Sequence, residues 1–158
     1  MGEFSWPMYL ADASDTLALG ARLGLAIDPP LTCNLGGDLG AGKTTLVRGF
    51  LRGLGHTGKV KSPTYGLVEH YQTDRCDVVH MDLYRLGHPQ EVEFLALRDL
   101  YTQRSVVMVE WPERAARYLP NPDLVLHFEV SGNGRTVTCM AHSQIGETCL
   151  ARMRNQST

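Results

Sequence analysis

Apolar positions along this chain recur with two periods, and the alternation between them outlines the fold. Asp12 to Leu25 follows a helical period, with Leu17, Gly20, Ala21 and Gly24 on one face and Asp12 or Ser14 as N-cap. Asp28-Pro29-Pro30 stops it, and Leu31 to Leu35 reads as a short apolar strand. Thr45 to Leu54 is helical again, with Leu46, Val47, Phe50, Leu51 and Leu54 along one side. Gly53, Gly55 and Gly58 mark a loop. Residues 66–72 read as a strand, hairpinned through Thr73-Asp74 to a second strand at Asp77 to Asp82. Pro89 to Leu100 reads as a helix, with proline in its first turn and Glu91 and Glu93 at its positive end. The β-branched run Ser105 to Glu110 predicts a buried strand, and Pro112 to Arg117 a short helix. Leu124 to Val130 and Thr136 to Met140 pair across the turn at 131–134. From Glu147 the tail reads as helical, then frayed, and no element is assigned to the first nine residues.

Strands and helices alternate early, while hairpins occupy the middle and the end. That order predicts an α/β fold with a mixed parallel and antiparallel sheet flanked by helices. A length of 158 residues fits one domain, with a core over about 10–140 and a short, peripheral tail over 141–158.

One octapeptide changes the picture. Gly37 to Thr44 is a complete GxxxxGK[ST] phosphate-binding loop, set between the strand ending at Leu35 and the helix that follows. Such a match arises by chance in a chain of this length on the order of a few times in a thousand. Its glycines let backbone N–H groups point inward as an anion cradle, and the helix opening at Lys43 adds its positive end. Lys43 is suited to reach the β- and γ-phosphates, and the Thr44 hydroxyl to ligate Mg²⁺. The expected fold is therefore P-loop NTPase-like.

Hydrolysis or transfer needs carboxylates as well. Two strands end in an acid where the carboxyl edge of a sheet meets such a loop: Asp82 after Val78-Val79-His80-Met81, and Glu110 after Val106-Val107-Met108-Val109. His80 shares a strand face with Asp82 and reads as a packing or hydrogen-bonding residue, since no second histidine has ligand spacing. Trp111-Pro112 follows Glu110 and either walls the site from water or packs in the core. Ser62-Pro63-Thr64-Tyr65 lies where switch-type NTPases keep a loop that orders around the γ-phosphate, or it is an ordinary turn.

Charge and composition exclude other classes. Net charge is −2, and 43% of residues are hydrophobic. No apolar run approaches a membrane span, and residues 1–6 lack the order of a signal peptide, so a cytoplasmic location is expected. Cys33, Cys76, Cys139 and Cys149 are dispersed, which favours reduced apolar residues over a zinc site or disulfides. The three lysines are Lys43, Lys59 and Lys61. With Arg48, Arg52 and His56 they make 48–61 locally basic, either a solvated face or a contact surface for an acidic partner or RNA.

Four motifs stand in order: GDLGAGKTTL (37–46), SPTY (62–65), HMDLYR (80–85) and EWPE (110–113). Together they closely resemble the TsaE family of bacterial P-loop ATPases, also called YjeE, over about residues 10–140. The resemblance implies a small cytoplasmic ATPase, a monomer when alone, that binds ATP or ADP with Mg²⁺. It implies a part in making threonylcarbamoyladenosine beside the anticodon of tRNA. TsaB and TsaD would be its partners: TsaD performs the transfer, and ATP hydrolysis here lets the assembly turn over. Matched by position, Asp38, Leu39, Gly40, Ala41, Gly42, Lys43, Thr44 and Thr45 resemble the nucleotide site, and Thr44 and Glu110 the Mg²⁺ ligands. Asp82 resembles the acid of hydrolysis, acting with Lys43 and Glu110. Ser62 to Tyr65 resembles the switch loop, with Tyr65 where phenylalanine is also common. Arg135, after the Gly-Asn-Gly turn, matches an arginine near the nucleotide. The basic stretch and the switch loop are the expected docking face for TsaB or TsaD.

Two other classes use the same loop. A small-molecule kinase needs an arginine-rich lid, for which Arg114 and Arg117 are the nearest candidates. A binding protein would use ATP occupancy only as a switch. No Asn-Lys-x-Asp motif marks a GTPase, and no Leu-Ser-Gly-Gly signature marks an ABC module.

Overall fold

A computed structural model describes residues 4–38, 40, 42–61, 63, 67–95 and 97–156. The elements run β1 (Ser5–Leu10), α1 (Ala13–Ala26), β2 (Leu31–Gly37), α2 (Lys43–Gly53), β3 (Val68–Gln72) and β4 (Asp77–Asp82). They continue with α3 (Leu97–Leu100), β5 (Ser105–Glu110), β6 (Leu124–Ser131), β7 (Gly134–Ala141) and α4 (Gln144–Arg154). Seven strands form one sheet in the order β1-β7-β6-β2-β5-β4-β3. The strands β4, β5, β2 and β6 are mutually parallel, their hairpin partners β3 and β7 run against them, and the edge strand β1 pairs antiparallel with β7. The mixed sheet expected from the sequence is present.

The two-residue strand period divides the core between the sheet's faces. Val106 and Met108 point towards α1, α2 and α4, while Val107 and Val109 point towards α3 and its neighbours. All four cysteines are free and buried, and burial pushes the thiols of Cys139 and Cys149 up to about 12, so they serve as apolar packing. No helix among the described residues is long and apolar enough to cross a membrane.

The helix over Asp12 to Leu25 is α1, with Asp12 as N-cap accepting from the Asp15 amide at 3.0 Å. Its buried face differs by a register step from the one expected: Thr16, Leu19, Gly20, Leu23 and Gly24 are covered, whereas Leu17 is only half-buried. The reason is α2, which lies against α1 through glycines on both helices. A Cβ at Gly20 would stand 2.3 Å from the Leu46 carbonyl oxygen, and one at Gly49 only 2.2 Å from the Leu17 carbonyl oxygen. The helix that carries the phosphate loop is thus held in backbone contact.

Four segments depart from the sequence reading. Ser5–Leu10 forms an edge strand on β7, where Pro7 needs no inward N–H. The expected helix at Pro89 to Leu100 is a 3-10 turn over Pro89–Leu95 followed by the single turn α3, and Pro112–Tyr118 is likewise 3-10, kinked at Ala115. The tail is not peripheral: α4 is capped by Ser143 and buries Cys149, Leu150 and Met153 in the main core.

Candidate functional site

The parallel strands β4, β5 and β2 deliver three groups to one edge of the sheet. The chain reverses its direction of winding at β2, since β5 lies on one side of it and β6 on the other. That is the crevice where open α/β sheets take ligands. Gly37, Asp82 and Glu110 each end one of these strands, and Asp82 and Glu110 are register partners on β4 and β5.

Past Gly37 the chain turns sharply. Gly37 has φ of 122°, and a Cβ there would meet the Phe128 carbonyl oxygen at 2.3 Å, so only glycine fits. Gly40 and Gly42 also take positive φ, and Asp38 is exposed. Gly42 is the N-cap of α2, yet no side chain caps that helix and its first turn carries no acid. The first-turn amides and the helix dipole are left to favour an incoming anion. Thr45, on this turn, is half-buried. Leu39 and Ala41 lie outside the described residues, as do Ser62, Thr64 and Tyr65. Pro63 of that segment is buried.

Lys43 is 4% exposed. Its Nζ donates to the Gly37 carbonyl at 2.6 Å and sits 3.9 Å from the centre of the Trp111 ring. Burial lowers its pKa from 10.5, against the upward pull of Glu110, Asp82, Glu113 and Asp38. Trp111 is both half-buried and part of the site wall. Its left-handed backbone (φ 58°) turns the ring back over Lys43, and Tyr84 leans on it at 5.0 Å.

Glu110 is 3% exposed and held from two sides. The Thr44 hydroxyl donates to Glu110 Oε2 at 3.3 Å, and His80 Nε2 donates to the same oxygen at 2.5 Å. His80 is wholly buried and its Nδ1 has no partner, which suits the tautomer with the proton on Nε2. The hydrogen-bonding role expected for His80 is thus directed at Glu110. Asp82 is half-buried, and its Oδ1 accepts from the Tyr84 amide at 3.1 Å. Burial raises its pKa from 3.8; the Glu110 charge adds to the rise, and the Tyr84 amide and the Lys43 charge oppose it.

Arg135 opens β7 beside the loop. Its Nη2 donates to the Gly40 carbonyl at 3.2 Å and its Nη1 to Gly134, while Nε is buried without a partner. A cavity of about 200 Å³ lies here, lined by Gly40, Gly42, Thr45, Arg135 and also by Asp12, Thr16 and Asn133. None of the last three was assigned to the site from the sequence. Asp12 reads there only as an N-cap and Thr16 carries no reading, and their approach to the loop depends on how α1 crosses it.

A hydroxyl and a carboxylate already in contact, beside an uncapped helix start, form an oxygen donor set suited to a hard cation that keeps part of its water shell. The lysine and the loop amides suit the phosphates such a cation accompanies.

A family model described as threonylcarbamoyl adenosine biosynthesis protein TsaE matches residues 10–137. A Haemophilus influenzae protein named tRNA threonylcarbamoyladenosine biosynthesis protein TsaE is 37% identical over 156 residues, covering 96% of this chain and 99% of its own. A Bacillus subtilis protein of the same name is 34% identical over 133 residues, covering 84% and 82%. The crystal structure of YdiB from Bacillus subtilis matches with a TM-score of 0.76 at 28% identity, covering 96% of this chain and 97% of that one.

Proposed function

This chain belongs to the TsaE family and takes part in threonylcarbamoyladenosine biosynthesis, and we propose that its share of that work is Mg²⁺-dependent ATP hydrolysis, slow alone and stimulated by TsaB and TsaD. The observation that carries this reading is the convergence of Lys43 and Thr44, Glu110 and Asp82 at adjacent strand ends, with Thr44 and Glu110 already in contact.

In this reading the amides of residues 38–45 and Lys43 hold the β- and γ-phosphates of ATP. Lys43 exchanges the Gly37 carbonyl and the Trp111 face for phosphate oxygens. Thr44 and Glu110 would hold Mg²⁺, which would supply charge neutralisation for the phosphates. His80 keeps Glu110 oriented towards Thr44. Asp82, beside Glu110 and kept partly from water, is placed to orient or deprotonate the attacking water. The cavity bounded by Arg135, Asp12 and Thr16 takes the nucleoside end, with Arg135 steadying the loop through Gly40. Residues 62–65 serve as the γ-phosphate sensor that reports occupancy to the partners, in the cytoplasm where tRNA is modified.

A kinase lid finds little support. Arg114 lies over the Tyr84 ring at 5.6 Å and Arg117 is exposed, so neither reaches across the loop. The test is ATP turnover by the purified chain with and without TsaB and TsaD. Turnover should rise on adding both partners, and Lys43→Ala should abolish it; a Lys43→Ala protein that hydrolyses ATP at the normal rate would show the site to be elsewhere.

A further inference from the structure

The longest stretch of this chain without a carboxylate runs from residue 39 to residue 68. It holds five of the fifteen lysines and arginines and none of the seventeen acids, so the rest of the chain is decidedly acidic. One of the five, Lys43, belongs to the nucleotide loop. The other four run from Arg48, about 7.5 Å along α2 from Lys43, to the strap beyond the far end of that helix.

There the chain is shaped into a pocket. Gly55, with φ of 90°, ends α2: its amide bonds the Arg52 carbonyl at 3.0 Å and the His56 amide bonds the Leu51 carbonyl at 2.9 Å. This closure turns the strap 56–61 back beside the helix. Tyr71 ties down the far end of the strap, its hydroxyl accepting from the Lys61 amide at 3.1 Å, and Val60 is packed on the core. Between helix and strap lies a cavity of about 640 Å³ lined by Arg48, Arg52, His56, Gly58 and Lys59. Arg48 and Arg52 stand one turn apart on one face of α2, an arrangement in which like charges repel. Among the described residues neither they nor Lys59 and Lys61 form an ion pair. His56 Nε2, in the wall and buried, has no partner.

We infer that this pocket binds the phosphate backbone of RNA, at a site separate from the nucleotide loop. Unneutralised cations at fixed spacing, with glycine backbone between them, are what phosphate contacts require. The one aromatic ring of the lining, His56, is packed edge-on against Tyr71 at 5.2 Å, and there is no large apolar anchor of the kind that dominates protein interfaces. The contact therefore reads backbone and not sequence, and it gives an otherwise acidic protein one face on which RNA can dock.

The experiment is fluorescence anisotropy of a labelled, unmodified tRNA transcript titrated with the full chain at 50 and 200 mM KCl. Four phosphate contacts give a slope of log K against log salt of about −3, a loss of roughly fiftyfold over that range. Arg48→Ala with Arg52→Ala should weaken binding at least tenfold and make the slope shallower by about 1.5. Lys59→Glu, on the exposed strap, should weaken it in the same direction and serves if the helix variant melts early. Lys43→Ala should leave tRNA binding unchanged. No tRNA binding by the wild type at 50 mM KCl overturns the inference, as does binding indifferent to Arg48, Arg52 and Lys59 or lost with Lys43. Variants that keep tRNA but release an acidic partner protein overturn it too. None of these results bears on ATP turnover, which is measured apart.

Discussion

Replacing Gly49 by alanine sets two opposing effects against each other on the helix that carries the phosphate loop. Gly49 lies inside α2, where alanine is favoured over glycine by about 1 kcal/mol. Propensity alone therefore makes the variant more stable. The tertiary structure reverses the sign. The new methyl would stand 2.2 Å from the Leu17 oxygen and 2.8 Å from the Leu17 carbonyl carbon, all rigid backbone of α1. Restoring ordinary contact opens the helix pair by roughly 1 Å, a gap that forfeits a quarter to a half of the dispersion energy of each pair of atoms it separates. Overpacking of this kind costs about 1–3 kcal/mol, and the upper end applies because no side chain can rotate away. After subtracting the propensity gain, the net loss is about 2 kcal/mol, or a fall in Tm of about 4–8 °C for a chain of this size. Thermal unfolding by circular dichroism measures it. Ala18→Gly, on the exposed side of α1, calibrates the propensity term in the same protein. Because α2 begins at the loop, ATP affinity should fall along with Tm. A Gly49→Ala protein as stable as the wild type, or more so, would refute the close-contact argument.

Other expectations concern the site itself. ATP should draw Lys43 off the Trp111 ring, so tryptophan emission should change on titration in a Trp6→Phe background, and Lys43→Ala should give a flat trace. Glu110→Gln should leave the far-ultraviolet spectrum unchanged and lower Mg²⁺-dependent turnover about a hundredfold; a normal Mg²⁺ titration would remove Glu110 from the metal site. Asp82 carries a raised pKa because burial disfavours its charge, so the native state binds its proton more tightly than the unfolded chain and stability falls as pH rises through that window. Asp82→Asn should accordingly be at least as stable as the wild type at pH 7 while losing turnover. The difference in urea midpoint should vanish as the pH falls below 3.8; a variant clearly less stable at pH 7 would contradict the assignment.

The loop and the two acids were legible because each is written in consecutive residues. The spacing of Gly37, Gly42, Lys43 and Thr44 defines the loop, and the apolar runs ahead of Asp82 and Glu110 place those acids at strand ends. Helix and strand periods are local as well, so α1, α2, β4 and β5 could be read directly. Elements whose stability comes from distant partners could not. Ser5–Leu10 contains a proline and is a strand because β7 offers an edge; the tail does read as helical from Glu147, but its start at Gln144 and its place in the core depend on the partners it covers. The switch motif at 62–65 stays a matter of sequence, since most of it lies outside the described residues.

Sequence alone determined that a phosphate-binding loop sits between a strand and a helix, and that a carboxylate follows each of two later strands. Tertiary structure decided that these acids become lateral neighbours, because β4 and β5 pair in parallel with Asp82 opposite Glu110. It likewise decided that His80 reaches Glu110, that Trp111 covers Lys43, and that Arg48 and Lys59 line one cavity. The physical reason is range. Hydrophobic period and turn chemistry act over a few residues, whereas the juxtaposition of groups 30 or 60 positions apart exists only once strand order, register and helix crossing have closed the core.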